Sequence, residues 1–269
     1  MRKIANVVFL SSALWTMIAT AQVREAFSVP VDYRGRQMQL RAEFQKPATG
    51  VGPFPAIIAL HDCGGYHSPY SMGAWLALFQ QQGYATLRID SFTARGHYGD
   101  ICGNTGEVTA VERATDAFAA AYVLAGRPDV RRDGIAIIGW SHGGGGATAA
   151  TRDGPNTRPW REKLASRGGK VVASIDLYGG CGTTNYPVVV PLLVLVGALD
   201  DWNRGGASCL ELARANPTLV TVQVYPGVYH GFDSPGEMHN TAGHMIAYNA
   251  EAAADAHVRA TEFVRRYMQ

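Results

Sequence analysis

The stretch Gly139-Trp140-Ser141-His142-Gly143 constrains this chain more than any other. It follows an apolar run, Gly134-Ile135-Ala136-Ile137-Ile138, and precedes a run of small residues, Gly144-Gly145-Gly146-Ala147-Thr148-Ala149-Ala150. That order reads as strand, sharp turn and helix, with a serine at the apex. The pattern is G-x-S-x-G, in which a strained turn lifts a hydroxyl above the end of a sheet. Glycines flank the serine because neighbouring backbone comes too close to leave room for a Cβ. A helix beginning directly after Ser141 aims unpaired N–H groups and the positive end of its dipole at the carbon the hydroxyl would attack. Five residues are a weak signal alone, since a Gly-rich loop containing a serine also matches. The flanking strand and helix favour the catalytic reading.

The remaining chain alternates in the same manner. Residues 27–33 and 38–44 are expected as paired strands about a turn at Arg34-Gly35-Arg36-Gln37. Ala56-Ile57-Ile58-Ala59-Leu60 is a continuous apolar run, the mark of a strand buried on both faces. A helix over 71–82 stops at Gly83, a strand covers 84–90, and a long loop over 91–106 carries Arg95 and Cys102. A helix over 107–125 stops at Gly126; beyond the elbow, the polar segment 152–170 reads as exposed. Further strands are expected at 171–178, 191–196 and 219–225, with helices over 207–216 and 241–268. Strands alternating with helices after an antiparallel start predict an α/β fold with a mostly parallel central sheet and helices on both faces. Residues 179–190 are too few for a helical lid, so the site is expected to be shallow and open. No linker or repeat divides residues 22–269, which read as one domain.

Composition narrows the classes. With 47% hydrophobic and 17% charged residues the chain can bury a large core. Residues 1–21 read as a signal peptide: Met1-Arg2-Lys3, an apolar stretch, then Ala19-Thr20-Ala21 as a small-x-small cleavage site. The rival reading is an uncleaved anchor, but the run is shorter than the roughly 20 apolar residues of a clean span. Cleavage removes two basic residues and no acids, taking the formal charge from +2 to 2 − 2 = 0. Such a balance recruits neither nucleic acid nor an anionic membrane. Export, to a periplasm or beyond, lets the four cysteines Cys63, Cys102, Cys181 and Cys209 pair. Four cysteines allow three connectivities. The order of elements suggests Cys63–Cys102 and Cys181–Cys209.

A serine hydroxyl needs a base, and the base needs an orienting carboxylate. Asp200 and Asp201 stand just beyond the 191–196 strand, and His230 just beyond the last strand, so the chain order is serine, acid, histidine. Either aspartate could instead cap the helix that follows. His230 has seven companions, and none forms a metal signature: H-E-x-x-H is absent and His239 and His244 lie five apart. Neither a metal nor another cofactor is expected. An oxyanion would be held by the His142 N–H, next after the serine, and by an N–H of the loop His61-Asp62-Cys63-Gly64-Gly65, with Cys63 favoured.

These motifs, together with Asp90-Ser91-Phe92-Thr93-Ala94-Arg95-Gly96, Gly197-Ala198-Leu199-Asp200-Asp201-Trp202 and Tyr225-Pro226-Gly227-Val228-Tyr229-His230-Gly231-Phe232, resemble the dienelactone hydrolase family of α/β-hydrolases. The resemblance spans about residues 25–269 and implies the α/β-hydrolase fold without a separate lid domain. It implies Ser141 as nucleophile, Asp200 rather than Asp201 as acid, His230 as base, and Cys63 and His142 as backbone oxyanion donors. Arg95 falls near an arginine that holds the substrate carboxylate in the family; a structural salt bridge is the other reading. The departure is the elbow, where the family proper carries cysteine and this chain serine. That difference and the leader favour a general ester over a muconate lactone. The paired cysteines resemble exported members, whose disulfides tie loops around the site. A serine peptidase of the same fold, or a binding protein that kept the fold, are the alternatives.

Overall fold

Side chains of the apolar runs point alternately to the two faces of one sheet. In the computed structural model, which describes residues 24–68, 72–182 and 186–268, Ala56, Ile58 and Leu60 pack into one core, and Ile57 and Ala59 into another. Such a strand must be covered twice, which places it inside the sheet.

The sheet has eight strands: β1 (Arg24–Tyr33), β2 (Arg36–Gln45), β3 (Phe54–Leu60), β4 (Ala85–Ile89), β5 (Val130–Trp140), β6 (Val171–Leu177), β7 (Leu192–Gly197) and β8 (Val220–Tyr225). Their spatial order is β1-β2-β4-β3-β5-β6-β7-β8. β1–β2 and β2–β4 are antiparallel, and every pairing from β4 to β8 is parallel. Among the described residues six α-helices cover it: α1 (Met72–Gln81), α2 (Ala110–Leu124), α3 (His142–Ala150), α4 (Arg158–Ala165), α5 (Ala207–Ala215) and α6 (Ala250–Tyr267). Trp75 and Phe79 of α1, Leu212 of α5 and Val264 of α6 close one face. Phe118 of α2, Ala147 of α3 and Leu164 of α4 close the other. The α/β expectation therefore holds, and the segments following β3, β4, β5, β7 and β8 all leave the carboxyl ends of parallel strands, on one edge of the sheet.

Three local expectations need correction. Residues 152–170 are not simply an exposed stretch: Pro159 opens α4, and Leu164, Arg152 and Thr157 are buried. The last helix starts at Ala250, where the Asn249 side chain accepts the Ala252 N–H at 2.9 Å. Before it, β9 (His239–Thr241) and β10 (His244–Ile246) make a hairpin where helix was expected. Ala242 and Gly243 both have positive φ, and Asn240 Oδ1 accepts the Gly243 N–H at 2.9 Å, so the turn chemistry overrides the helical pattern. At the start of α2, Thr109 and Glu112 form a capping box, which sets the first turn three residues later than the sequence pattern suggests.

Both expected disulfides, Cys63–Cys102 and Cys181–Cys209, are present. The first ties the loop after β3 to the long loop after β4; the second ties the loop after β6 to α5. The expected signal peptide lies outside the described residues. Among the described residues no helix is long and apolar enough to cross a membrane.

The Cys181–Cys209 bridge closes a loop with a sequence separation of 28 residues. A Cys181→Ala/Cys209→Ala variant is therefore expected to lose about 3 to 4 kcal/mol of stability through restored freedom of the unfolded chain. Urea unfolding measures this directly, and an unchanged free energy of unfolding would contradict it.

Candidate active site

β5 ends at Trp140 and α3 begins at His142, leaving Ser141 alone in the turn with φ 51° and ψ −118°. The crowding is severe on both sides. A Cβ on Gly139 would lie 2.0 Å from the Gly143 carbonyl oxygen, and one on Gly143 would lie 2.1 Å from that of Leu60. Only glycine lets α3 sit so close to β3 and β5. The Ser141 N–H donates to the Leu177 carbonyl at 2.8 Å, which pins the turn to the end of β6.

The other two residues arrive from the ends of β7 and β8. His230 Nε2 lies 2.9 Å from Ser141 Oγ, and His230 Nδ1 lies 2.9 Å from Asp200 Oδ2. A carboxylate only accepts, so Nδ1 carries the proton and the Nε2 lone pair faces the serine hydroxyl. Asp200 is fully buried, and Asn203 donates to it twice, from its backbone N–H at 3.2 Å and its side chain at 3.1 Å. Asp201 turns outward instead, its side chain 55% exposed, and meets His244 at 3.1 Å. The neighbouring aspartates are thus told apart by which one touches His230. Tyr178 and Trp202 flank the His230 ring, with centroids at 4.7 and 4.9 Å.

In the loop after β3, the Gly64 N–H donates to Asp62 Oδ1 at 2.6 Å and the Gly65 N–H to the Asp62 carbonyl at 3.3 Å. Cys63 lies between them and its carbonyl accepts the Ile101 N–H at 2.9 Å, so the loop is anchored by a hydrogen bond as well as by its disulfide. His142 is the first residue of α3, where an amide has no partner within the helix. Both residues line an open cleft of about 300 Å³ above Ser141, together with Tyr178, Trp202 and His230. A smaller recess of about 20 Å³ continues past His230 to Gly231, Thr241 and Ile246.

Several buried charges beneath this cleft carry no motif. Arg113, fully buried on α2, donates to the His61 carbonyl at 2.7 Å and to His142 Nδ1 at 2.9 Å, linking the two loops that carry the candidate amides. Burial lowers its pKa to about 10. Burial, with the Arg113 charge second, pushes His142 down to about 3, so its ring is neutral and its Nε2–H donates to the Thr105 carbonyl at 3.2 Å. Asp176 on β6 accepts the Thr148 hydroxyl at 2.7 Å and the Gly179 N–H at 2.6 Å, and burial raises it to about 7. Asp233 accepts from Trp75 at 2.7 Å, Trp140 at 3.0 Å and Tyr178 at 2.6 Å. An arginine within an Ala-rich helix was the one available sequence signal for Arg113; the aspartates offered none.

Arg95 does not reach the cleft. Its side chain is 1% exposed and makes a two-pronged ion pair with Asp116 at 2.8 and 2.7 Å. The substrate-carboxylate role is therefore set aside in favour of the structural salt bridge: the guanidinium is already spent on a buried carboxylate. Among the described residues, one group of metal-type donors lies close together, Asp176, Cys181 and Cys209. Both of its sulfurs are joined in a disulfide.

Comparison with known proteins agrees with this architecture. The model of the dienelactone hydrolase family matches residues 161–268, the part holding Asp200 and His230. No curated protein matches the chain by sequence. Among solved structures, a dienelactone hydrolase from Anabaena variabilis ATCC 29413 superposes with a TM-score of 0.60 at 21% identity, over 92% of this chain and 99% of that one. Esterase 2 of Thermogutta terrifontis gives 0.62 at 16% identity, over 90% and 94%. A puromycin-hydrolyzing peptidase of Mycobacterium tuberculosis gives 0.62 at 16% identity, over 95% of this chain and 41% of that one. The chain has the α/β-hydrolase fold.

Two outcomes follow from the buried charges. Arg95→Ala strands Asp116 as an unpaired buried carboxylate and is expected to cost about 3 to 5 kcal/mol in chemical denaturation. Loss of binding confined to acidic esters, with stability unchanged, would instead restore the substrate role. Asp176 titrates at about 7 when folded against an ordinary 3.8, so between those values the folded chain holds a proton the unfolded chain has released. Stability from this group is full below the lower value and falls as pH rises through the upper one. Relative to wild type, Asp176→Asn is expected to gain stability from pH 4 to pH 7; a pH-independent difference would contradict the assignment.

Proposed function

We propose that this chain is a serine hydrolase of the dienelactone hydrolase type that cleaves carboxylic esters through an acyl-enzyme intermediate. The observation that carries the reading is the unbroken run from Ser141 Oγ to His230 to Asp200, with both links at 2.9 Å. His230 takes the serine proton as Oγ attacks the ester carbonyl, and buried Asp200 stabilises the imidazolium that forms. The Cys63 and His142 amides hold the oxyanion of the tetrahedral intermediate, where one such donor contributes about 3 to 4 kcal/mol to lowering the barrier. His230 then protonates the leaving alcohol and activates the water that frees Ser141. The neutral His142 ring is bound to Arg113 and takes no part in proton transfer.

Arg95, committed to Asp116, does not serve as the carboxylate handle implied by the family resemblance, which favours neutral esters over lactone acids. Two disulfides and the leader pattern support action outside the cytoplasm. The peptidase reading is favoured by the fold shared with the puromycin-hydrolyzing enzyme. Turnover of p-nitrophenyl esters against p-nitroanilides separates the two, and faster anilide cleavage would exchange them.

Ser141→Ala is expected to reduce p-nitrophenyl acetate turnover by about five to six orders of magnitude at an unchanged melting temperature. Turnover equal to wild type would end the assignment. Asp200→Asn, which favours the wrong imidazole tautomer, is expected to cost about four orders of magnitude in kcat. A loss of less than tenfold would remove Asp200 from the mechanism.

A further inference from the structure

We propose that a second cavity, beside α3, is the acyl subsite of this enzyme and receives an aliphatic chain of about four to eight carbons or a phenyl ring; the inference rests on the serine hydrolase reading. The cavity holds about 130 Å³ and adjoins the cleft above Ser141, sharing Ala110, Gly145, Gly180 and Gly182 as walls. That is close to the roughly 150 Å³ of an apolar protein cavity that takes up benzene.

The junction stays open because its residues are small. A Cβ on Gly145 would touch the Gly180 carbonyl oxygen at 3.5 Å and Ala110 Cβ at 3.6 Å, bridging the gap between the two spaces. Beyond the gap the surface is carbon: Val111 of α2, Ala149 of α3, Pro155 and the Tyr186 ring. Tyr186 is 46% exposed, a large aromatic held at the rim. Arg152 and Thr148 in the wall are engaged within the protein, while Asn156, also in the lining, is exposed to solvent. The Arg152 guanidinium donates to the Tyr186 and Cys181 carbonyls, each at 3.2 Å, and the Thr148 hydroxyl donates to Asp176 at 2.7 Å. Such walls recognise hydrocarbon and offer no dedicated partner to a charged tail.

Chemistry chooses the acyl half of the substrate. The leaving oxygen must collect its proton from His230 Nε2, so the alcohol departs on the side of the small recess at Gly231, Thr241 and Ile246. The cavity beside α3 is lined by neither His230 nor Ser141 and opens a turn further along α3, so it takes the group left on the serine.

The test is kcat/KM for p-nitrophenyl acetate, butanoate, hexanoate and octanoate, normalised to active sites titrated with a fluorophosphonate. Wild type is expected to rise from acetate to hexanoate, by up to about fourfold per methylene buried. Gly145→Ala, at the gap, and Ala149→Phe, in the wall, should each lower the hexanoate-to-acetate ratio at least tenfold. A wild-type profile falling from acetate onward would overturn the proposal. So would an unchanged ratio in both variants, or a drop seen only when the alcohol of an acetate ester is lengthened. Failure of the underlying reading is distinguishable, because Ser141→Ala would then leave turnover of every ester in place.

Discussion

Backbone packed against backbone at the start of α3 is the constraint on which the site depends. Gly139 and Gly143 let α3 meet β3 and β5 with no side chain between, and this contact holds Ser141 at a positive φ that a non-glycine residue rarely takes. A conformation of this kind costs of order 1 to 3 kcal/mol and persists only where surrounding structure enforces it. Here the hydrogen bond from Ser141 to Leu177 and the turn of α3 closed by the Gly145 N–H on the Ser141 carbonyl at 3.0 Å do so. In return the hydroxyl stands clear of the sheet, facing a histidine carried by a loop some ninety residues further along the chain.

A layer of buried ionisable side chains supports that geometry from below. Arg113 joins the loop after β3 to the elbow histidine, so one side chain ties together the two segments that carry the amides proposed for the oxyanion. Asp233 gathers the indoles before the elbow and on α1 with the Tyr178 hydroxyl, and Tyr178 in turn packs against the His230 ring. Asp176 holds the turn after β6 against α3. Each group would be expensive to bury alone and is hydrogen-bonded by several donors or to several acceptors. The pre-organisation that acyl transfer requires is thereby carried by the scaffold rather than by the loops alone.

Much of this was legible in the chain itself. The apolar runs of β3, β5 and β7 announce doubly covered strands, and the order of Ser141, Asp200 and His230 at strand ends follows from local patterns. What was not legible depends on contacts made at long range or on elements too short to show a pattern. Nothing in the pair Asp200-Asp201 says which carboxylate turns inward; family resemblance pointed to Asp200, and the Asn203 hydrogen bonds show how the turn achieves it. Arg95 could have faced substrate or Asp116, a choice decided by the packing of α2. The β9–β10 hairpin was hidden because its two strands are only three residues each, too short for an alternation to emerge against the helix that follows.

The central claim is that Ser141 is made nucleophilic by His230. Peptide mass spectrometry after reaction with diisopropyl fluorophosphate tests it most directly. The expected result is a single phosphoryl adduct on the peptide containing Ser141, formed rapidly in wild type and lost in a folded His230→Ala variant. An adduct on another residue, or equal labelling of Ser141 without the histidine, would contradict it.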